Sequence, residues 1–437
     1  MPPWRAAAAS LRLAGGAAQG PESQAPRLAP AARLATPAWM VAVGYMDPGN
    51  WATDIAAGAR FGTGLLFVVA LASLSAIVLQ LLSARLGLAT GQDLARACRD
   101  RYGPVTRCLL WGLAEIGIVA CDVAEVLGSA LALQLLFGLP LVAGIVVTAL
   151  DTVFVLGLQE RGLRRVGAVV LGLVMTITVC FGIELALVHA NAAAILRGLV
   201  PSPSLLGDRQ ALVLAIGIVG ATVMPHNLYL HSALVRRPAH AATAPEAIHG
   251  ALRRSARDTV STLALALCVN VAILSVAAGA FHDTGHREVA DIDTAFRLLD
   301  PLVGSGVASL VFGIALLAAG QSSTFTGTIA SQVVLEGFMR RRMPAWRCRI
   351  VTRGLALLPA LGGVLVLGDT GVGPLLVASQ VVLGLQLPFA VWPLIRLTAD
   401  RRVMGPFATR LPTRVAAVGI FLAVCAANAV LVLQAFG

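Results

Sequence analysis

Met46-Asp47-Pro48-Gly49-Asn50 interrupts an apolar stretch running from about Leu34 to Phe61. Proline removes a backbone donor and clashes with the preceding turn, while glycine tolerates dihedrals that no helix uses. Inside lipid, such a break leaves polar backbone groups that only protein or a bound ligand can satisfy. A carboxylate at the break adds a charge costing about 3 kcal/mol on insertion scales. Helix breakers around one buried acid therefore predict a cation-binding site. Ala221-Thr222-Val223-Met224-Pro225-His226-Asn227 interrupts a second apolar segment, from about Leu212 to Val235. Two proline-broken segments in corresponding halves of a chain point to a secondary transporter's central site. Paired kinks in ordinary membrane helices are the alternative.

Composition places both breaks in a membrane. Of 437 residues, 57% are hydrophobic and 13% charged, with a mean hydropathy of +0.83. A soluble domain carries about 25% charge, so too little polar surface is left here to face water. Mostly apolar windows of about 18 residues or more recur from one end to the other. The chain reads as an all-α polytopic membrane protein with about eleven spans. They are expected near 37–61, 63–86, 107–137, 139–159, 165–189, 210–235, 257–281, 303–335, 352–368, 373–397 and 413–435. Residues 1–36, rich in Ala, Pro and Arg with a faint transit-peptide character, are expected to form a short disordered cytoplasmic tail. Residues 37–437 are expected to form one transmembrane transporter domain. The seven cysteines show no paired spacing, so neither a disulfide framework nor a zinc cluster is expected.

The formal charge of +11 does not indicate nucleic acid, because the basic residues collect in loops on one side. With the N-terminus placed in the cytoplasm, only Arg60, Arg197, Arg209, Arg287 and Arg297 of the 33 arginines fall outside. This asymmetry sets the orientation. Arg349 and Arg353 are counted with the inner loops. The outer segment His282 to Asp300 is acid-rich; it either concentrates cations at the entrance or is simply solvated. The two broken spans are the first and the sixth. Five helices between equivalent positions turn the second half upside down relative to the first. The count predicts an inverted five-plus-five repeat, about 37–190 and 210–398, with an extra helix at 411–436 and a site where the breaks meet.

Asp47 offers an anionic oxygen, Asn50 an amide oxygen and Met224 a thioether. Ala221, ending the first half of its helix, offers an unpaired carbonyl. Magnesium and calcium prefer all-oxygen shells, whereas a thioether suits softer ions. The set favours divalent transition metals such as Mn²⁺ and Fe²⁺; methionine as helix filler is the competing reading.

Asp47-Pro48-Gly49-Asn50 and Met224-Pro225-His226-Asn227 resemble the paired motifs of the Nramp family (natural-resistance-associated macrophage proteins), which are proton-coupled divalent metal transporters. Val43-Gly44-Tyr45-Met46 with Trp51-Ala52-Thr53-Asp54, Asn227-Leu228-Tyr229-Leu230-His231-Ser232, and the stretch from Gly320 to Thr328 also resemble bacterial members. The likeness runs from about Pro37 to the C-terminus. It implies metal binding by Asp47, Asn50, Met224 and the Ala221 carbonyl, with Gln380 joining in one conformation. It also implies the LeuT-like fold of sodium-coupled amino-acid symporters, in agreement with the counted repeat.

Proton coupling requires titratable groups inside the membrane. Glu115, Asp122 and Glu125 share one face of the third span. No Lys or Arg lies between Cys108 and Glu160, so a basic partner must come from another helix. The resemblance implies Asp122 and Glu125 as proton acceptors, Arg353 closing the network, and His226 beside the metal. A structural ion pair is the bland alternative. Metal binding favours ionised Asp47, and the released proton would pass toward Glu125 and Asp122. Glu115 lies nearer the cytoplasmic end and can snorkel. His231 lies on a different helical face from His226, as either a packing residue or a secondary proton-path residue. Asp54 lines the outer entrance or caps toward solvent. Nothing resembles HExxH.

The expectation is thus a bacterial inner-membrane importer of Mn²⁺, with Fe²⁺ and related ions, driven by proton symport through alternating access. It has no resident cofactor, no obligate protein partner and no enzymatic activity. A magnesium-carrying relative, a same-fold amino-acid symporter, a channel and an intramembrane metalloenzyme are the rivals. An amino acid's carboxylate would meet Asp47 unfavourably, and the enzyme would lack a paired histidine set.

Overall fold

The computed structural model describes residues 36–436 except 161–162, 202–204, 206, 238–243, 290, 305, 340–343 and 369–370. The expected N-terminal tail lies outside the described residues, apart from Thr36. Nine helical segments among the described residues are long and apolar enough to cross a membrane. One of these, Pro48–Thr90, contains two expected spans. They divide at a 3-10 turn, Gly62–Leu65, where Gly62 takes φ +57°. The apolar helix beginning at Leu141 supplies another. Separating these recovers the eleven spans read from hydropathy.

Both breaks form where the prolines predict. The first span is α1 (Pro37–Ala42), continued by a 3-10 turn over Val43–Met46, and then α2 (Pro48–Phe61). Asp47 is extended (φ −74°, ψ 166°) and caps α2, its carboxylate accepting from the Asn50 amide. Pro48 takes the first helical position, where its missing N–H costs nothing. The sixth span is α9 (Arg209–Thr222) followed by α10 (Pro225–Val235). Met224 occupies the equivalent cap position and Pro225 the equivalent first turn, but no side chain caps α10.

The intervening elements are α3 (Leu66–Thr90), α4 (Leu94–Arg101), α5 (Pro104–Phe137), α6 (Leu141–Glu160), α7 (Leu163–Leu187) and α8 (Ala192–Gly198). The rest are α11 (Pro245–Ala277), α12 (Ile292–Val303), α13 (Ala308–Met339), α14 (Ala345–Leu367), α15 (Val372–Ala399), α16 (Arg401–Met404) and α17 (Leu411–Phe436). The broken spans pack with α3 and α11 as one bundle. Around α5 gather α6, α13, α14 and α15, and α13 also packs on α7. The two breaks lie at the seam between these groups.

One expected boundary is corrected. The ninth span was placed at 352–368 with Arg349 in an inner loop, but α14 begins at Ala345. Arg349, Arg353, Ala356, Ala360 and Val364 form one buried face, while Ile350, Leu358 and Leu365 point outward. Offsets of four, three, four and four keep these residues over one another. Both arginines therefore enter the protein interior. The eleventh span, α17, lies almost entirely at the periphery, with Leu411, Val415, Leu422 and Leu433 exposed. Asn428 ties it to α15 by donating to the Gly384 carbonyl at 2.9 Å.

Candidate metal site and its ion-pair network

The first break meets the second through one side chain. Asn50 Nδ2 donates to Asp47 Oδ1 at 2.7 Å, to the Ala221 carbonyl at 3.2 Å and to the Gly44 carbonyl at 3.4 Å. Three oxygens from both breaks thus converge on one small volume. Ala221 O is free to accept because α9 ends at Thr222 and no later residue continues its helical ladder. Asp47 Oδ2 is buried and has no hydrogen-bond partner, nor does Gln380 Oε1 or Asn227 Oδ1. Buried acceptors without donors are what a cation would satisfy.

Glycine makes the approach possible. A Cβ at Gly44 would meet the Asn227 amide and would stand 3.2 Å from Met224 Sδ. A Cβ at Gly49 would collide with the Gln380 amide. Met224 and Gln380 therefore both border the unwound first span. Asn227 Nδ2 lies 3.6 Å from Met224 Sδ, orienting the thioether. Among the described residues, no group of three or more His, Cys, Asp or Glu side chains could hold a metal ion. The donor set at the breaks has another character, with one carboxylate among amides, a main-chain carbonyl and a thioether.

Beside it lies a buried ionic cluster. Arg349 Nη1 contacts both Asp122 oxygens, at 2.8 and 3.0 Å, and its Nη2 is 3.6 Å from Glu125 Oε2. Arg353 Nη1 is also 3.6 Å from Glu125 Oε2, while its Nη2 donates to the Thr148 carbonyl at 3.1 Å. All four side chains are at most 3% exposed. The expected Arg353 contact is present, but the closest partner of Asp122 is Arg349. Sequence reading missed Arg349 because it sat at the edge of an apolar window; its four-residue spacing from Arg353 was the available signal.

His226 connects the two regions. Its Nε2 lies 3.8 Å from Cys121 Sγ, and that sulfur lies 3.8 Å from Glu125 Oε1. Cys121 was also missed, although it precedes Glu125 by one helical turn. His231 turns elsewhere, as the spacing required: its Nδ1 is 2.9 Å from Gln80 Oε1, and Gln80 donates to the Tyr45 hydroxyl at 2.8 Å. Asn270 Nδ2 donates to the Tyr45 carbonyl, bracing the same turn from α11. Asp54 is buried, which removes its solvent-capping alternative. Glu115 is half-buried and accepts from Trp111 Nε1 at 3.0 Å.

The acidic segment from His282 to Asp300 spends much of its charge internally. Asp291 caps α12, Asp293 pairs with Arg297 at 2.9 Å, and Asp300 accepts from the Ser309 amide. Arg287 and Glu288 of that segment instead line a cavity of about 850 Å³ with Arg60 and Arg209. The wall of this cavity carries more positive than negative charge.

Residues 38–434 match the family described as natural resistance-associated macrophage protein-like. The divalent metal cation transporter MntH of Ralstonia nicotianae is 57% identical over 402 residues, covering 92% of this chain and 91% of its own. A crystal structure of a manganese transporter variant from Eremococcus coleocola superposes with a TM-score of 0.84 at 34% identity. It covers 94% of this chain and 88% of its own. A structure of MhsT in complex with L-phenylalanine shares the fold at 16% identity, with a TM-score of 0.62 over 95% of this chain and all of its own.

Proposed function

Because the chain belongs to the Nramp family, it is a multi-pass divalent metal cation transporter and not an enzyme, and we propose that it imports Mn²⁺, with Fe²⁺ and related ions, by proton symport. In this reading Asp47, Asn50, the Ala221 carbonyl and Met224 bind the metal, and Gln380 joins them in one conformation of the cycle. One observation carries the assignment: the Asn50 amide bridges Asp47 of the first break and Ala221 of the second. Cargo bound there would touch both repeats, as alternating access requires.

The proton reading rests on the neighbouring cluster. Metal arriving at Asp47 stabilises its carboxylate and displaces any proton it holds. His226, Cys121 and Glu125 offer a run of polar atoms from the break toward Asp122, Arg349 and Arg353. Paired guanidiniums keep the carboxylates in place and supply compensating charge whichever one is protonated. His231, bound to Gln80, is assigned a supporting place beside the Tyr45 turn. The arginine asymmetry supports a cytoplasmic N-terminus in a bacterial inner membrane. Residues 37–437 act as one transporter domain, with repeats at about 37–190 and 210–398.

The test is Mn²⁺ entry into proteoliposomes under an inward proton gradient with excess external Mg²⁺. Gradient-accelerated uptake that Mg²⁺ does not block, lost in Asp47→Ala, is the expected result. Mg²⁺ uptake without Mn²⁺ uptake would move the chain to a magnesium-carrying role and sink the transition-metal assignment.

A further inference from the structure

Far from the breaks, at the end of the molecule where α17 begins, a cavity of about 700 Å³ opens between α3, α11 and the linker from α15. Arg85, Arg401, Arg410 and His249 line it, and among the described residues no carboxylate does. Arg85 is half-buried, and its contact with the Phe407 carbonyl is long, at 3.5 Å. Asp400, the nearest acid in sequence, caps the Arg402 amide and pairs with Arg101. The Thr409 hydroxyl lines the same cavity, buried and without a hydrogen-bond partner. His249 is held against the Phe407 ring with centroids 5.0 Å apart. The fold thus gathers three guanidiniums without a counter-charge among the described residues, beside an orphaned hydroxyl donor. Like charges brought together this way repel, and a bound anion would relieve the repulsion.

We propose that this cavity binds the phosphate of an anionic phospholipid headgroup. Guanidinium forks match phosphate oxygens, and basic pockets between membrane helices recognise such headgroups. The lipid source is favoured over free phosphate by the adjoining surface. Leu411, which lines the cavity, is 70% exposed, and Val415, one turn further along α17, is 61% exposed. A headgroup seated among the arginines would lay its acyl chains along that apolar stripe. The α3 and α11 walls belong to the bundle of broken helices, and α17 packs both on α15 and on α3 and α9 of that bundle.

The experiment is thermal unfolding of the purified full-length protein in detergent, with phosphatidylglycerol, phosphatidylcholine or inorganic phosphate added. A ligand near 100-fold above its dissociation constant should raise the midpoint by about 3 °C in a chain of this size. The expected result is that rise with phosphatidylglycerol, a smaller one with phosphatidylcholine, and none with millimolar phosphate. R85Q/R410Q should lose the preference between lipids, and R197Q, a distant control, should keep it. Equal shifts with both lipids, or a preference that survives R85Q/R410Q, would overturn the proposal. A full shift with inorganic phosphate would overturn the lipid source. If R85Q/R410Q fails to fold, H249A/T409V is read the same way.

Discussion

The helix breaks and the α5–α14 cluster are equally buried, yet they handle charge in opposite ways. At the breaks one carboxylate, Asp47, has only amide donors, and its Oδ2 has no partner. In the cluster, Asp122 and Glu125 face Arg349 and Arg353. A buried acid without a cation is costly, and a buried acid with a guanidinium is far less so. Asn50 sharpens the contrast, since its NH₂ group satisfies three oxygens that would otherwise suit a positive ion. In the proposed reading, one region receives its cation from outside the chain, whereas the other already contains guanidiniums of its own.

Substitution at Asp47 should break the comparison hardest. Asp47→Ala removes the sole anionic donor at the breaks, and Mn²⁺ uptake should fall about 100-fold or more. Thermal stability should change little, because losing a buried charge without a cation offsets losing the α2 cap. A variant that still transports within a factor of three of the native protein would remove Asp47 from the site.

Arg349 probes the opposite case. Arg349→Met leaves Asp122 and Glu125 short of positive charge and should cost about 3 kcal/mol of stability. Adding Asp122→Asn should return most of that loss if the two residues act as a pair. Additive losses in denaturation of the double variant would contradict the pairing. Glu125→Gln should fold normally, because an amide keeps the shape. It should reduce proton flux accompanying Mn²⁺ by about tenfold or more, measured with a pH-sensitive dye inside the liposomes. Unaltered proton flux would dismiss the relay.

Legibility in the sequence followed the same divide. Helix breakers act locally, so Pro48 and Pro225 announced the breaks, and hydropathy located most of the spans. The cluster depends on which helix faces which, and hydropathy says nothing about that. Asp122 and Glu125 stood out as acids in an apolar run, whereas Arg349 looked like one more loop arginine. It belongs to the interior because α14 starts seven residues before the expected boundary of 352. Cys121 was passed over for a related reason: its place between His226 and Glu125 depends on α5 meeting α10. The acidic segment from His282 to Asp300 showed the limit of counting charges, since Asp291, Asp293 and Asp300 are tied to α12 and its neighbours.

Met224 offers the smallest expected effect and the finest test of what the breaks select. Its sulfur is the only soft donor proposed for the site, so replacing it should weaken discrimination against Ca²⁺ and Mg²⁺ by about tenfold. Met224→Ala alone is ambiguous. The side chain also packs with Ala120, Cys121 and Leu383, and truncation would leave a gap costing about 2 kcal/mol or more. Met224→Leu separates the two roles, since it keeps the volume and removes the sulfur. Both variants should lose discrimination in competition assays with Mn²⁺, and only the alanine variant should also melt earlier. If leucine preserves the selectivity that alanine abolishes, shape at the second break sets the choice of ion and the thioether does not.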